Sequence, residues 1–171
     1  MTSLHGTFEY FDYESWQRVR CVQKHADKFS YPPNTLMAYL DQHYPRFAQI
    51  VVQAKYDARF ADIQGRFTIF VSPEWESKSA AEVAQIPVHQ CKLIVMTNTM
   101  EGRLRREDLM TSQSSQLFPL DVSAIIRVWI EDGQLWKDGD VIVSQQVLSN
   151  GILQFLRATP NNRCKATNYL P

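Results

Sequence analysis

The chain has 171 residues with 18 Lys+Arg against 18 Asp+Glu, a formal net charge of zero at neutral pH. That balance argues against a general electrostatic nucleic-acid binder, which carries a clear basic excess. Apolar residues at 44% and aromatics at 12% argue against intrinsic disorder and suffice for one ordinary core.

A chain of this length is expected to form one domain that buries roughly two-thirds of its unfolded surface. No apolar run approaches the ~20 residues that span a bilayer. The amino terminus shows no basic segment followed by an apolar one, and no Asn-x-Ser/Thr sequon occurs. The expectation is an intracellular or virion-associated protein, or an extracellular one if a leader was removed. Cys21, Cys91 and Cys164 are odd in number and far apart, and are read as reduced thiols.

Residues 7–13, Thr-Phe-Glu-Tyr-Phe-Asp-Tyr, are dense in strand formers. Residues 14–29 then change period: Trp16, Val19, Val22, Ala26 and Phe29 recur every three or four positions, as on an amphipathic helix. Tyr31-Pro32-Pro33 closes it, and Asn34 is expected to cap a helix over 35–42 that buries Leu36, Met37 and Leu40. Pro45 suits the first turn of a further helix over 45–56, with Phe47, Ile50, Val51 and Ala54 inward.

The stretch 66–74 is the pivot. Phe67, Ile69 and Val71 share one face of a strand and Thr68 and Phe70 the other, so both faces are largely apolar and the strand should be covered on both sides. Ser72-Pro73 stops it. Ser79-Ala-Ala-Glu82 has the capping-box pattern of a short helix limited by Pro87. Residues 91–100 fit a buried strand or a helix end, and periodicity leaves both open. Gly102 breaks that segment, and 105–110 reads as a helical turn.

From Leu117 onward the signal is β. Branched residues fill 124–130, Asp132-Gly133 and Asp138-Gly139 favour tight hairpins, and Asn150-Gly151 is expected to be a positive-φ turn before a strand over 152–156. The stretch 157–171 carries Arg157, Arg163 and Lys165 and no acidic residue. The expected division is an N-terminal extension (1–33), one domain (34–160) and a C-terminal tail (161–171).

This order of helices, a Phe-Thr-Ile-Phe strand, more helix and then hairpins ending in Ser149-Asn-Gly-Ile-Leu153 resembles a fasciclin-like domain over about residues 36–160. Phe67–Pro73 looks like the family's first signature strand, and Ser149–Gln154 looks like its closing signature. Glu107–Leu109 and Leu117–Leu120 stand where the family has its middle segment. Thr97-Asn98 takes the place of the family's tyrosine-histidine pair, and Gln154 that of its second histidine. Arg157 stands where an aspartate follows. The resemblance implies an α+β fold, a wedge of β-sheets with a helical layer formed mainly from the N-terminal half. It also implies a non-enzymatic adhesion or structural role.

The motifs of catalysis are missing: no Gly-x-Gly-x-x-Gly, no phosphate loop ending in Gly-Lys-Ser/Thr, no Gly-x-Ser-x-Gly and no His-Glu-x-x-His. His89 and Cys91 would share a face if they lay on a strand, which makes a small thiol enzyme the rival from another class. Cys21, His25, His89 and Cys91 are the residue types of a zinc site, yet they lack a Cys-x-x-Cys core and lie in two distant halves. No catalytic, cofactor or metal residue is therefore assigned.

An interaction surface is expected instead. Its members are the aromatics Phe8, Tyr10, Phe11 and Tyr13, the cluster Arg103, Arg105 and Arg106, and the tail residues Arg163 and Lys165. The functional expectation is a component of a larger assembly, such as a minor capsid-type virion protein, with other protein subunits as partners and no specific nucleic acid. A secreted or cell-surface adhesion module is the alternative.

Overall fold

The computed structural model describes residues 31–111 and 113–157. The expected N-terminal strand and helix and the tail beyond Arg157 lie outside the described residues. Three helices lead in: α1 (Leu36–His43), α2 (Pro45–Gln53) and α3 (Asp57–Ala61). Strand β1 (Phe67–Val71) follows, then a 3-10 turn (Pro73–Ser77), α4 (Ala80–Ala84) and α5 (Val88–Thr97). β2 (Thr99–Glu101) and α6 (Arg106–Leu109) precede the hairpins β3 (Ser114–Leu117), β4 (Ile126–Glu131), β5 (Gln134–Lys137), β6 (Asp140–Leu148) and β7 (Gly151–Arg157).

All seven strands join one sheet in the order β2-β1-β7-β6-β5-β4-β3. The β1–β7 pair is parallel, and the other five pairs are antiparallel. The pivot strand is inside this sheet and covered on both faces. Ile69 and Val71, with Leu153 and Phe155 of β7, pack under the helices in a first core with Leu36, Phe47, Ile50, Phe60 and Ile94. Phe70 faces the other way, into a second core with Ile126, Val128, Leu135, Ile142 and Leu156. The sheet thus closes over its own hairpins. A register shift between Ile142 and Ser144 supplies the extra bend in β6.

Several local expectations are corrected. The helix cap is Thr35, whose Oγ1 accepts from the Ala38 N–H at 3.3 Å, and Asn34 instead takes a left-handed φ of 59°. Lys55 at φ 63° ends α2 early, with the Tyr56 N–H turning back to the Val51 carbonyl at 3.1 Å, so α3 is a separate helix. The open choice at 91–100 resolves mainly as helix, followed by the short β2. Asp132-Gly133 and Asp138-Gly139 do adopt positive φ. Asn150-Gly151 does not: neither residue is in the left-handed region. Gly151 is required by space, because a Cβ there would sit 2.2 Å from the Phe67 carbonyl oxygen and 2.7 Å from Leu36 Cδ1.

Buried Asn150 then ties the two ends of the domain together. Its Oδ1 accepts from the Leu36 N–H at 2.8 Å, and its Nδ2 donates to the carbonyls of Phe60 (2.8 Å) and Asp62 (2.9 Å). Glu76 does similar work at α2, where Pro45 has no N–H to satisfy. Its two carboxylate oxygens accept from the next donors, Arg46 N–H (3.0 Å) and Phe47 N–H (2.9 Å). Glu76→Ala is expected to lower the unfolding free energy by about 2 kcal/mol, and Glu76→Gln by less because one acceptor remains. Urea denaturation midpoints measure both.

Candidate interaction surface

The arginine cluster does not form one patch. Arg103 donates to the carbonyls of Leu148 (2.8 Å) and Ser149 (3.3 Å), and Arg106 to that of Val143 (3.0 Å). Both guanidinium groups fasten the β2–α6 connection to β6, which leaves Arg105 as the exposed member. Phe8, Tyr10, Phe11, Tyr13, Arg163 and Lys165 lie outside the described residues.

Cys91 and His89 fall on a helix, where positions two apart point in different directions. Cys91 is buried and His89 exposed. Burial pushes the Cys91 thiol pKa up, away from thiolate character, and its sulfur meets Gln53 Nε2 at 3.4 Å. The pairing required by the thiol-enzyme reading is therefore not formed. Among the described residues no group of three or more His, Cys, Asp or Glu is placed to hold a metal.

The structure instead exposes two features that sequence reasoning passed over. The first is the β3–β4 connection, where Phe118 is 66%, Val122 92% and Ile125 45% exposed. The connection is held from behind, as the Leu120 and Asp121 N–H groups donate to the carbonyls of Thr99 (2.8 Å) and Met96 (3.1 Å). Its apolar side chains are thus displayed on an anchored frame.

The second feature is the open face of the hairpins. The Asp132-Gly133 turn sets Trp129 opposite Trp136. Their rings are parallel to within 5°, with centroids 6.3 Å apart. Both indole N–H groups are held by Glu131, Trp129 Nε1 at 3.3 Å from Oε2 and Trp136 Nε1 at 3.4 Å from the backbone oxygen. Beside Trp129 lies a furrow of about 400 Å³, lined by Ser114, Ser115, Gln116, Arg127, Val128 and Trp129. The two-residue turn at Asp132-Gly133 was the available signal, since it fixes which tryptophans face each other.

Where the family's tyrosine-histidine pair would stand, the Thr97 hydroxyl and the Asn98 amide close the end of α5. They donate to the carbonyls of Leu93 (2.7 Å) and Ile94 (2.8 Å). Asn98 Oδ1 accepts from the buried ammonium of Lys137 at 2.7 Å. Gln154, in place of the second histidine, is also buried, and its Nε2 donates to the Leu104 carbonyl (3.0 Å) and to Gln145 Oε1 (3.1 Å).

This arrangement is the α+β architecture of a fasciclin-like domain. A solved structure with this fold is that of a FAS1 domain pair from the insect cell adhesion molecule Fasciclin I. The two share 18% sequence identity at a TM-score of 0.54, over 73% of this chain and 50% of that one. The likeness is one of fold, and the chain spans about half the length of that protein pair. No family model matches the sequence, and no curated protein matches it. No helix among the described residues is long and apolar enough to cross a membrane.

Proposed function

We propose that this domain is a non-enzymatic, adhesion-type module that joins protein subunits, with the β3–β4 connection as its contact. The observation that carries this reading is the exposure of Phe118, Val122 and Ile125 on a connection whose backbone is pinned to β2 and α5. Displaying large apolar groups in water gains nothing for an isolated fold, whereas a partner that covers them recovers roughly 1.5–3 kcal/mol per fully buried side chain. The adhesion molecule that shares the fold supports the same class of role. A building block of a large particle, of minor capsid type, is the narrower form of this reading. The balanced charge supports it, since the chain carries little net repulsion against its neighbours.

Sedimentation equilibrium over a broad concentration range tests the proposal. The wild-type chain is expected to associate reversibly. The double substitution Phe118→Ser with Val122→Asp is expected to remain monomeric with an unchanged circular dichroism spectrum. Equal association by both proteins, or a wild-type chain that stays monomeric throughout, overturns the assignment of the contact to this connection.

A further inference from the structure

We propose that the furrow between β3 and β4 binds an acidic saccharide, with Trp129 as the stacking wall and Arg127 as the partner of the sugar's carboxylate. This is a different site from the β3–β4 connection and does not depend on the protein-contact reading. The cross-strand pairs Ser114–Trp129, Ser115–Val128 and Gln116–Arg127 build it. Trp129 and Ser114 rise along one side, Arg127 and Gln116 along the other, and the paired backbone of Ser115 and Val128 forms the floor. Side chains two apart on a strand stand roughly 6.5–7 Å from one another, a separation that accommodates one sugar ring between indole and guanidinium.

Three properties select this ligand class. First, the indole is fixed before any ligand arrives: Glu131 Oε2 accepts its N–H and Trp136 lies parallel to it. A rigid aromatic wall offers contact area at low ordering cost and suits the apolar C–H face of a pyranose. Second, the remaining lining is rich in hydroxyl, amide and guanidinium groups, which match sugar hydroxyls. Third, among the described residues of the lining Arg127 is the charged one.

Two acids border the furrow and both are engaged: Glu131 Oε2 holds the Trp129 indole N–H at 3.3 Å, and Asp138 is tied on two sides. Its Oδ1 accepts the Arg127 backbone N–H at 2.9 Å, and its Oδ2 lies 3.4 Å from the Lys137 ammonium. The exposed Arg127 guanidinium is thus set to pair with a carboxylate from outside, and an anion complements the furrow better than a neutral or cationic ligand.

The test titrates the full chain with oligogalacturonate, following indole fluorescence and heat. Methyl-esterified oligogalacturonate and an acidic peptide of equal charge serve as comparisons. Saturable binding of the free acid with a change in fluorescence is expected. Methyl esterification, Trp129→Ala and Arg127→Gln are each expected to weaken it about tenfold. Arg127→Gln should also flatten the salt dependence, whereas Arg127→Lys should restore part of the affinity. Arg127 is exposed, so its variants report on the site even if Trp129→Ala fails to fold. No binding of the free acid, equal binding of the ester, or affinity indifferent to Arg127 overturns the proposal. So does equally tight binding of the peptide, which would make the furrow a peptide groove.

Discussion

Gly151→Ala is expected to abolish the cooperative fold, and Asn150→Ala to destabilise it by about 3–5 kcal/mol. The glycine lies at the start of β7, opposite Phe67 in the parallel ladder. The intruding methyl group would overlap a backbone oxygen, which cannot swing aside as a side-chain tip can. Relief requires β1 and β7 to separate, and these strands carry both cores. Asn150→Ala leaves the buried Leu36 N–H and the buried Phe60 carbonyl without their partner, while the Asp62 carbonyl keeps the Gly65 N–H at 3.0 Å. Each orphaned group costs about 1–3 kcal/mol, against a total stability of about 5–15 kcal/mol for an ordinary domain. Asn150→Asp should be worse than Asn150→Ala near neutral pH, because a carboxylate oxygen would face the Phe60 and Asp62 carbonyls. Guanidinium denaturation monitored by far-ultraviolet circular dichroism ranks all three.

The second large effect is expected at Lys137, where Lys137→Glu should cost about 3–5 kcal/mol while Lys137→Met costs less, about 1–3 kcal/mol. The methionine takes the donor from Asn98 Oδ1 but leaves the part-exposed Asp138 in reach of water. The ammonium group is enclosed between Asn98 Oδ1 at 2.7 Å, Asp138 Oδ2 at 3.4 Å and the Phe70 ring, whose centroid is 5.6 Å away. A carboxylate in that place would meet an acceptor, an anion and the negative face of a ring. Methionine fills the same channel without a charge to desolvate.

Burial is the main cause holding the Lys137 pKa below its ordinary 10.5, opposed by Asp138 and Asp140. Between the lowered folded value and the unfolded one, the unfolded chain binds more protons. The contribution of this group to stability therefore rises as pH climbs through that window. Subtracting the Lys137→Met profile from the wild-type profile isolates the contribution of this group. A flat difference across the alkaline range would contradict it.

The elements legible in the sequence were those where one local signal dominates. The alternation Phe67-Thr-Ile-Phe-Val71 correctly implied a strand with two dry faces, and Ser79 does accept from the Glu82 N–H at 3.1 Å as its spacing implied. Asp132-Gly133 and Asp138-Gly139 carry the positive φ that their residue types favour. What escaped depends on distant chain. Ser114-Ser-Gln-Leu117 has too little apolar periodicity to be read as a strand, and it becomes one at the sheet's edge because β4 offers it a ladder.

Asn150-Gly151 has the same letters as a turn with positive φ, but Leu36, Phe60 and Phe67 determine what those letters do. The interaction surface was less legible still. Arg103 and Arg106 looked available until the carbonyls of β6 were brought beside them. Val122, by contrast, stands in a stretch that carries no motif at all.

The parallel pairing of β1 with β7 also constrains how the chain is made. Leu36 and Asn150 bond across 114 residues, and the central ladder contains the last described strand. During synthesis α1, α2 and α3 emerge before β1, and both hydrophobic cores stay open until residues 151–157 leave the ribosome. Such non-local closure is slow and exposes apolar surface while it waits. Ribosome-bound chains ending before β7 should therefore be protease-sensitive throughout, and the fold should register in a single late step.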